Sequence, residues 1–251
     1  MHYVIGDIHN NLKKLKQILK QINITRDDEL IVLGDVFDRG GETADPFGVY
    51  CALAGLQGKC SWIRGNHDDW LANYTYEYFN TPEKKRHKLA PYGYNSFELL
   101  RQRITEVDMR NIADLIKGLP LQKELELEGK KYLCFGGTES PDKEEREAGY
   151  NWWPQEMPSD EEYAACEANL EANGWQVDYV LTHDAPSRFL DFTSLAVDES
   201  NRLHLFLDKV LLKLTYEKWF FGCYHKDVAL STKSRCVFCD VIPMGERHAK
   251  R

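Results

Sequence analysis

The chain has 251 residues, 43% hydrophobic and 29% charged, a composition that buries a sizeable core and excludes a disordered protein. Lys and Arg total 32 against 40 Asp and Glu, a formal charge of -8, which excludes the broad basic face that nucleic acid or an anionic membrane requires but leaves room for a local phosphate pocket. No apolar run approaches the roughly 20 residues of a membrane helix, and the first residues carry no signal-peptide pattern.

In chain order, a strand is expected at 2–6, then a helix with Leu12, Leu15, Ile18, Leu19 and Ile22 on one face. Apolar runs at 29–34 and 60–64 each stop at a glycine and read as strands. From 68 to 118 the pattern turns helical. Trp70, Leu71, Tyr74, Tyr78 and Phe79 sit at helical spacing, a charged run at 83–88 reads as a solvated loop or helix end, and a long helix follows from 96 to 117. This segment reads as a helical insertion within a single domain spanning 1–251. Runs at 121–128 and 131–136 flank Gly129 as a hairpin would, so the sheets should be mixed. A polar stretch from 140 to 174 carries Trp152-Trp153 and an acidic helix. The last strands are expected at 178–182, 219–222 and 235–242. Strands alternating with helices indicate a layered α/β fold. Cys236 and Cys239 form a C-x-x-C with no second pair for zinc, and read as thiols of one buried strand. Seven scattered cysteines, an odd number, suit a reducing cytoplasm.

The chemistry is written at strand ends. Asp7 and His9 follow the first strand, and i and i+2 in extended chain face one way, so both can grip one cation. Asp35 and Asp38-Arg39 follow the second, and Asn66-His67-Asp68 the third. Thr182-His183-Asp184 and Gly222-Cys223-Tyr224-His225 end two later strands. Ligands at the ends of strands of one sheet converge on one edge, where α/β proteins place their sites. Carboxylates, imidazoles and an amide oxygen suit Mn²⁺, Fe²⁺ or Zn²⁺. Two such ions about 3.5–4 Å apart, bridged by a carboxylate, would clamp a phosphate and acidify a water between them.

Taken jointly, Gly6-Asp7-Ile8-His9, Gly34-Asp35-Val36-Phe37-Asp38-Arg39-Gly40 and Gly65-Asn66-His67-Asp68 resemble the signatures of the calcineurin-like metallophosphoesterase superfamily, the second being most similar to its phosphoprotein-phosphatase branch. The resemblance extends from Gly6 to His225. It implies an αββα sandwich with mixed sheets and the metals at the strand ends. It implies that Asp7 and His9 hold the first metal with His225, that Asp35 bridges both, and that Asn66 and His183 hold the second, Asn66 also meeting substrate. It casts His67 as proton donor to the leaving oxygen, oriented by Asp38, and Arg39 as a phosphate ligand, whose guanidinium fork suits a monoester. The implied activity is phosphomonoester hydrolysis, on a phosphoprotein or small phosphorylated molecule, by a hydroxide bridging two divalent ions, Mn²⁺ foremost, with Fe²⁺ or Zn²⁺ as alternatives.

The sequence departs from the pattern twice. Phe135 stands where the phosphoprotein-phosphatase branch carries a histidine before its glycine pair, which assigns the second-metal role to His183. Cys223 stands where the superfamily carries the first histidine of G-H-x-H. It is either a thiolate ligand, which prefers softer ions, or a neutral thiol beside the second metal. Arg64 reads as a structural ion-pair partner, and Asp68 as a helix cap. Asp184 reads either as support for a metal histidine or as a turn residue. Trp152 and Trp153 read as core before pocket wall, and His2, His87, His204 and His248 as surface or core residues. Competing activities are a phosphodiesterase or nucleotide pyrophosphatase, which the Gly65–Asp68 motif also resembles, and a degenerate protein that only binds a partner. The sequence sets neither substrate nor oligomeric state.

Overall fold

The computed structural model describes residues 1–119, 122–127, 129–140, 143–148, 152, 154–192 and 201–244. In chain order the elements are β1 (His2–Ile5), α1 (Leu12–Ile22), β2 (Glu29–Val32), α2 (Pro46–Ala54), β3 (Lys59–Trp62), α3 (Asn66–Asn80), α4 (Glu83–Arg86), α5 (Ser96–Arg101), α6 (Glu106–Gly118), β4 (Gln122–Leu127), β5 (Lys130–Phe135), α7 (Asp160–Ala172), β6 (Tyr179–Thr182), α8 (Arg202–Lys213), β7 (Lys218–Phe221), β8 (Val228–Ala229), β9 (Ser234–Cys236) and β10 (Ile242–Met244). Two mixed sheets result, ordered β10-β1-β2-β3 and β4-β5-β6-β7-β9-β8. In the first, β1, β2 and β3 are parallel and β10 is antiparallel to β1. In the second, β5, β6, β7 and β9 are parallel, flanked by antiparallel β4 and β8.

The strand period of two builds the layers. Tyr3, Ile5, Leu30 and Val32 face outward onto α1, α2, α3, α5 and α6. Val4, Ile31, Leu33, Cys134, Leu181 and Phe220 face inward, sheet on sheet. Leu133, Phe135, Val180, Trp219 and Phe221 face outward on the other side, under α7 and α8. The order is helix, sheet, sheet, helix, the αββα sandwich. The residues expected to form a helical insertion make α3 to α6, whose Trp70, Leu71, Phe97, Met109 and Ile116 cover the first sheet. Among the described residues no helix is long and apolar enough to cross a membrane. Trp153 and His248 lie outside the described residues.

Two expectations are corrected. The site loops do not end strands of one sheet: those after β1, β2 and β3 leave the first sheet, and those after β6 and β7 leave the second. The run at 235–242 is not one strand either. The Asp227 carboxylate accepts the backbone N–H groups of Phe238, Cys239 and Asp240 at 2.8, 2.9 and 2.9 Å. Three donors turned to one side chain cannot also serve a ladder, so β9 stops at Cys236 and the chain crosses to the first sheet as β10. Cys236 is buried, whereas Cys239 is partly exposed. We expect Asp227→Ala to cost about 1–3 kcal/mol of stability, since partly buried N–H groups lose their acceptor. Urea denaturation measures it. An unchanged midpoint would mean that water replaces the carboxylate.

Candidate metal and phosphate site

The loops that meet at the sandwich edge are held in unusual backbone. Among the described residues, seven of the nine non-glycine ones with positive φ lie there: His9, Asn10, Asp35, Asp38, Arg39, Cys223 and His225, with φ from 47 to 67°. Such conformations cost free energy and persist only where the surroundings over-determine them. Here the loops are laced together. The Asp35 carbonyl accepts from the N–H groups of Ile8 and His9, both at 3.0 Å, and Asn10 N–H donates to Val36 at 3.0 Å. Asp68, in the first turn of α3, takes four donors: Val36 N–H at 2.9 Å, Phe37 N–H at 3.2 Å, Gly65 N–H at 3.2 Å and the Trp62 indole at 3.3 Å. It therefore caps its helix and also ties the β2 loop to the β3 loop. Arg64 pairs with Asp69 at 3.2 Å. Gly65 permits a close approach: a Cβ there would lie 2.2 Å from Asp35 Oδ1.

Asp7, His9 and His225 bring one ligand atom each within 4.8 Å of one another. His9 Nε2 and His225 Nε2 are 2.9 Å apart, and His225 Nε2 is 3.1 Å from Asp7 Oδ2. His9 Nδ1 lies 3.1 Å from the Phe37 carbonyl, so Nδ1 carries the hydrogen and Nε2 points a lone pair into the site. His183 is held the same way by the Leu33 carbonyl at 2.7 Å, with Nε2 3.6 Å from Asp35 Oδ2. Neither Asp7 Oδ2 nor His183 Nε2 has a well-aligned hydrogen bond among the described residues, although both are buried. Burial pushes the Asp7 and Asp35 carboxyls up, but the surrounding histidines outweigh it and leave both below the usual range. Against its own burial, the His183 ring is lifted well above 6.5, first by Asp35 and then by Cys223 and Asp7. The pocket thus has a negative potential strong enough to hold a proton on His183, and a divalent cation that displaced it would meet carboxylate and imidazole donors that fit such an ion.

Asn66 opens α3, buried at the same junction. Cys223 donates its N–H to Asp7 at 3.2 Å, and its sulfur lies 3.7 Å from Thr138 Oγ1. Burial pushes the thiol up to about 11 despite His183, which disfavours a thiolate where no cation is beside it.

Beside this cluster, His67 Nδ1 lies 3.2 Å from Asp38 Oδ2, and the His67 ring stands edge-on to His9 with centroids 5.1 Å apart. Tyr92 donates its hydroxyl to the same Asp38 oxygen at 2.5 Å. Burial lifts Asp38 to about 7, and burial holds His67 well below 6.5, with His9, Arg39 and Arg146 adding to the effect on His67 and Asp35 opposing it. Arg39 is exposed at the rim.

Several residues at the site carry no sequence signal. Arg146 lies over the Trp70 ring at 4.9 Å and donates to the Tyr94 hydroxyl at 3.1 Å. Tyr94 meets His67 edge-on at 4.8 Å. His204, expected as a plain surface or core residue, donates Nε2 to Asp184 at 3.1 Å; Asp184 also accepts from Thr138 at 2.6 Å, from the Ala185 N–H at 2.7 Å and from the Tyr224 hydroxyl. Asp184 therefore joins the loops after β5, β6 and β7 to α8, which is more than a turn residue does. Tyr92-x-Tyr94-x-Ser96 places polar-tipped residues on alternate positions, and Ser96 Oγ accepts from Asp38 N–H at 2.9 Å and from Asn10 Nδ2 at 2.7 Å.

With this geometry in view, the comparisons are direct. The sequence pattern of calcineurin-like phosphoesterases matches residues 3–218. The chain belongs to the calcineurin-like phosphoesterase family. As a member, this phosphoesterase hydrolyses phosphoesters and binds divalent metal. Its structure is similar to the phosphopantetheinyl hydrolase of Mycobacterium tuberculosis, over 94% of this chain and 89% of that one, at 16% identity and a TM-score of 0.48. It is similar to a protein serine/threonine phosphatase from Saccharomyces cerevisiae over 94% and 66% at 16% identity and a TM-score of 0.47. It is also similar to a putative 5'-nucleotidase from Staphylococcus aureus over 94% of this chain and 48% of that one, at 14% identity and a TM-score of 0.47. Likenesses this distant carry no argument about substrate. No curated protein matches the sequence.

We expect Gly65→Ala to weaken divalent-metal binding, because the added methyl would meet both the carboxylate and the backbone N–H of Asp35. Calorimetric titration of Mn²⁺ into the purified variant checks this against circular dichroism of its fold. Wild-type affinity in a folded variant would mean that Asp35 holds no metal.

Proposed function

We propose that this phosphoesterase is a metal-dependent phosphatase acting on phosphomonoesters, a phosphoprotein or a small phosphorylated molecule. The observation that carries this reading is the meeting, beside the Asp7, His9 and His225 cluster, of an imidazole–carboxylate pair with two guanidinium groups that both bear on His67. Asp7, His9, Asp35 and His225 would hold one divalent ion. Asp35, Asn66 and His183 would hold a second, with Cys223 a neutral thiol beside it. Mn²⁺ is the ion we assign, and the same donors accept Fe²⁺ or Zn²⁺. When bound, such ions neutralise phosphate charge and supply a water acidic enough to attack at neutral pH.

The chain's own groups do the rest. Asp38 engages His67 Nδ1, which leaves Nε2 as the position from which a proton passes to the leaving oxygen. Held below its usual pKa, the ring is neutral; with Asp38 raised to about 7, it can give its Nε2 hydrogen to the leaving oxygen while taking the Asp38 proton at Nδ1. Arg39 and Arg146 cover free phosphate oxygens, and two guanidinium groups suit the dianion of a monoester better than the single charge of a diester. The odd number of scattered cysteines, seven, supports a reducing, cytoplasmic setting.

Asp35→Asn should remove nearly all p-nitrophenyl phosphate hydrolysis together with bound metal. His67→Ala should lower kcat by about 10²–10⁴-fold, the range of general acid catalysis, with metal retained. Elemental analysis of both variants decides: if His67→Ala also loses its metal, the two roles are wrongly divided. Arg39→Ala should cost more on a phosphomonoester than on bis(p-nitrophenyl) phosphate. Equal losses on the two substrates would favour a diesterase instead.

A further inference from the structure

The Trp152 of the double-tryptophan motif and the buried Glu156 have no part in the chemistry proposed above. Glu156 is 1% exposed, which is rare for a carboxylate without a cation beside it. Its two oxygens are fully engaged by donors from three places in the chain. One accepts from Ser140 N–H and the Trp152 indole, both at 2.7 Å. The other accepts from Ser140 Oγ at 2.9 Å and from the Trp70 indole at 3.1 Å. The main chain of Glu156 joins in, its carbonyl accepting from Thr138 N–H at 3.3 Å. Burial pushes the carboxyl up to about 7, and the four donors pull the other way. Plain packing would be served by an apolar side chain at lower cost.

The partner that matters is Trp70. Its indole N–H is fixed by Glu156, and its ring is shared by three neighbours at the phosphate site. The His67 ring lies against it with centroids 4.5 Å apart. The Tyr94 ring stacks on it at 5.8 Å with 14° between planes. The Arg146 guanidinium sits over it at 4.9 Å and donates to Tyr94. The orientation of one indole therefore sets where Arg146 can reach.

We propose that Glu156 is a positioning residue: by holding the Trp70 indole to Ser140 and Trp152, it fixes the aromatic platform from which Arg146 reaches the substrate phosphate. The role rests on the phosphatase reading above. Glu156 touches neither substrate nor metal ligand; it acts through Trp70.

Glu156→Gln preserves size but presents an amide NH₂ to groups that are themselves donors. It should raise KM for p-nitrophenyl phosphate and Ki for inorganic phosphate together, each about tenfold, as loss of one charge-assisted contact would. Mn²⁺ content should not change. Arg146→Lys should cost at least as much in the wild type, and little more in the Glu156→Gln background, because the guanidinium is already misplaced there. Trp70→Phe, which keeps a ring and deletes the N–H, provides the same readout should Glu156→Gln fail to fold. Additive losses in the double variant, or KM and Ki within twofold of wild type beside a lowered Tm, would make Glu156 a packing residue and overturn the proposal. A wild-type protein that hydrolyses no phosphate ester would sink the phosphatase reading, and this role with it. An active wild type with an indifferent Glu156→Gln would sink the role alone.

Discussion

Carboxylates do not enter a protein interior without compensation, and this fold buries Asp7, Asp35, Asp38, Asp68 and Asp184 along one seam. The way each is compensated organises the rest. Asp68 is answered by four N–H donors and becomes a structural rivet between two loops. Asp184 is answered by a histidine, two hydroxyls and a backbone N–H. Asp38 is answered by Tyr92 and His67. Asp35 faces the His9 and His183 rings, whose other nitrogens are tied to backbone carbonyls, and Asp7 faces His225. Three of the five are met mainly by the chain's own donors, and the other two mainly by imidazoles.

The same seam explains where backbone strain collects. A loop that must aim a short carboxylate or an imidazole at a shared point has few conformations to choose from. Residues such as Asp and Asn tolerate positive φ better than most, and His and Arg accept it at a cost. The cost is offset by the lacing of Ile8, His9 and Asn10 onto Asp35 and Val36. Rigid loops built this way hold their side chains before any ligand arrives, which is what transition-state chemistry demands of a site.

Much of this was legible in the sequence for a local reason. Strand, glycine and a polar residue recur within a few residues at Gly6-Asp7, Gly34-Asp35 and Gly65-Asn66, so the residues that meet at the sandwich edge could be read from short spacings, while the layer order followed from the resemblance those motifs carry. What could not be read is non-local. Asp227 breaks an apolar run that looks like continuous strand, from 11 residues upstream of Phe238. Arg146 reaches His67 only because Trp70 and Tyr94, from two other segments, give it a surface to lie on. His204 finds Asp184 through the packing of α8. No spacing rule encodes partners that topology brings together.

The crossing of the chain from β9 to β10 bears on how the molecule is made. β1 lies inside its sheet, between β2 and β10, and its His2 pairs with Met244 at the far end of the sequence. During synthesis on the ribosome one flank of β1 therefore waits, unpaired, for almost the whole chain to emerge. His225 also arrives late, so the nascent chain has neither a closed sheet nor the complete cluster of Asp7, His9 and His225. An open inner edge with apolar neighbours invites pairing with another chain, and contacts of such long sequence separation form slowly. The protein's vulnerable period is thus its translation, when a chaperone that shields strand edges would have most to do.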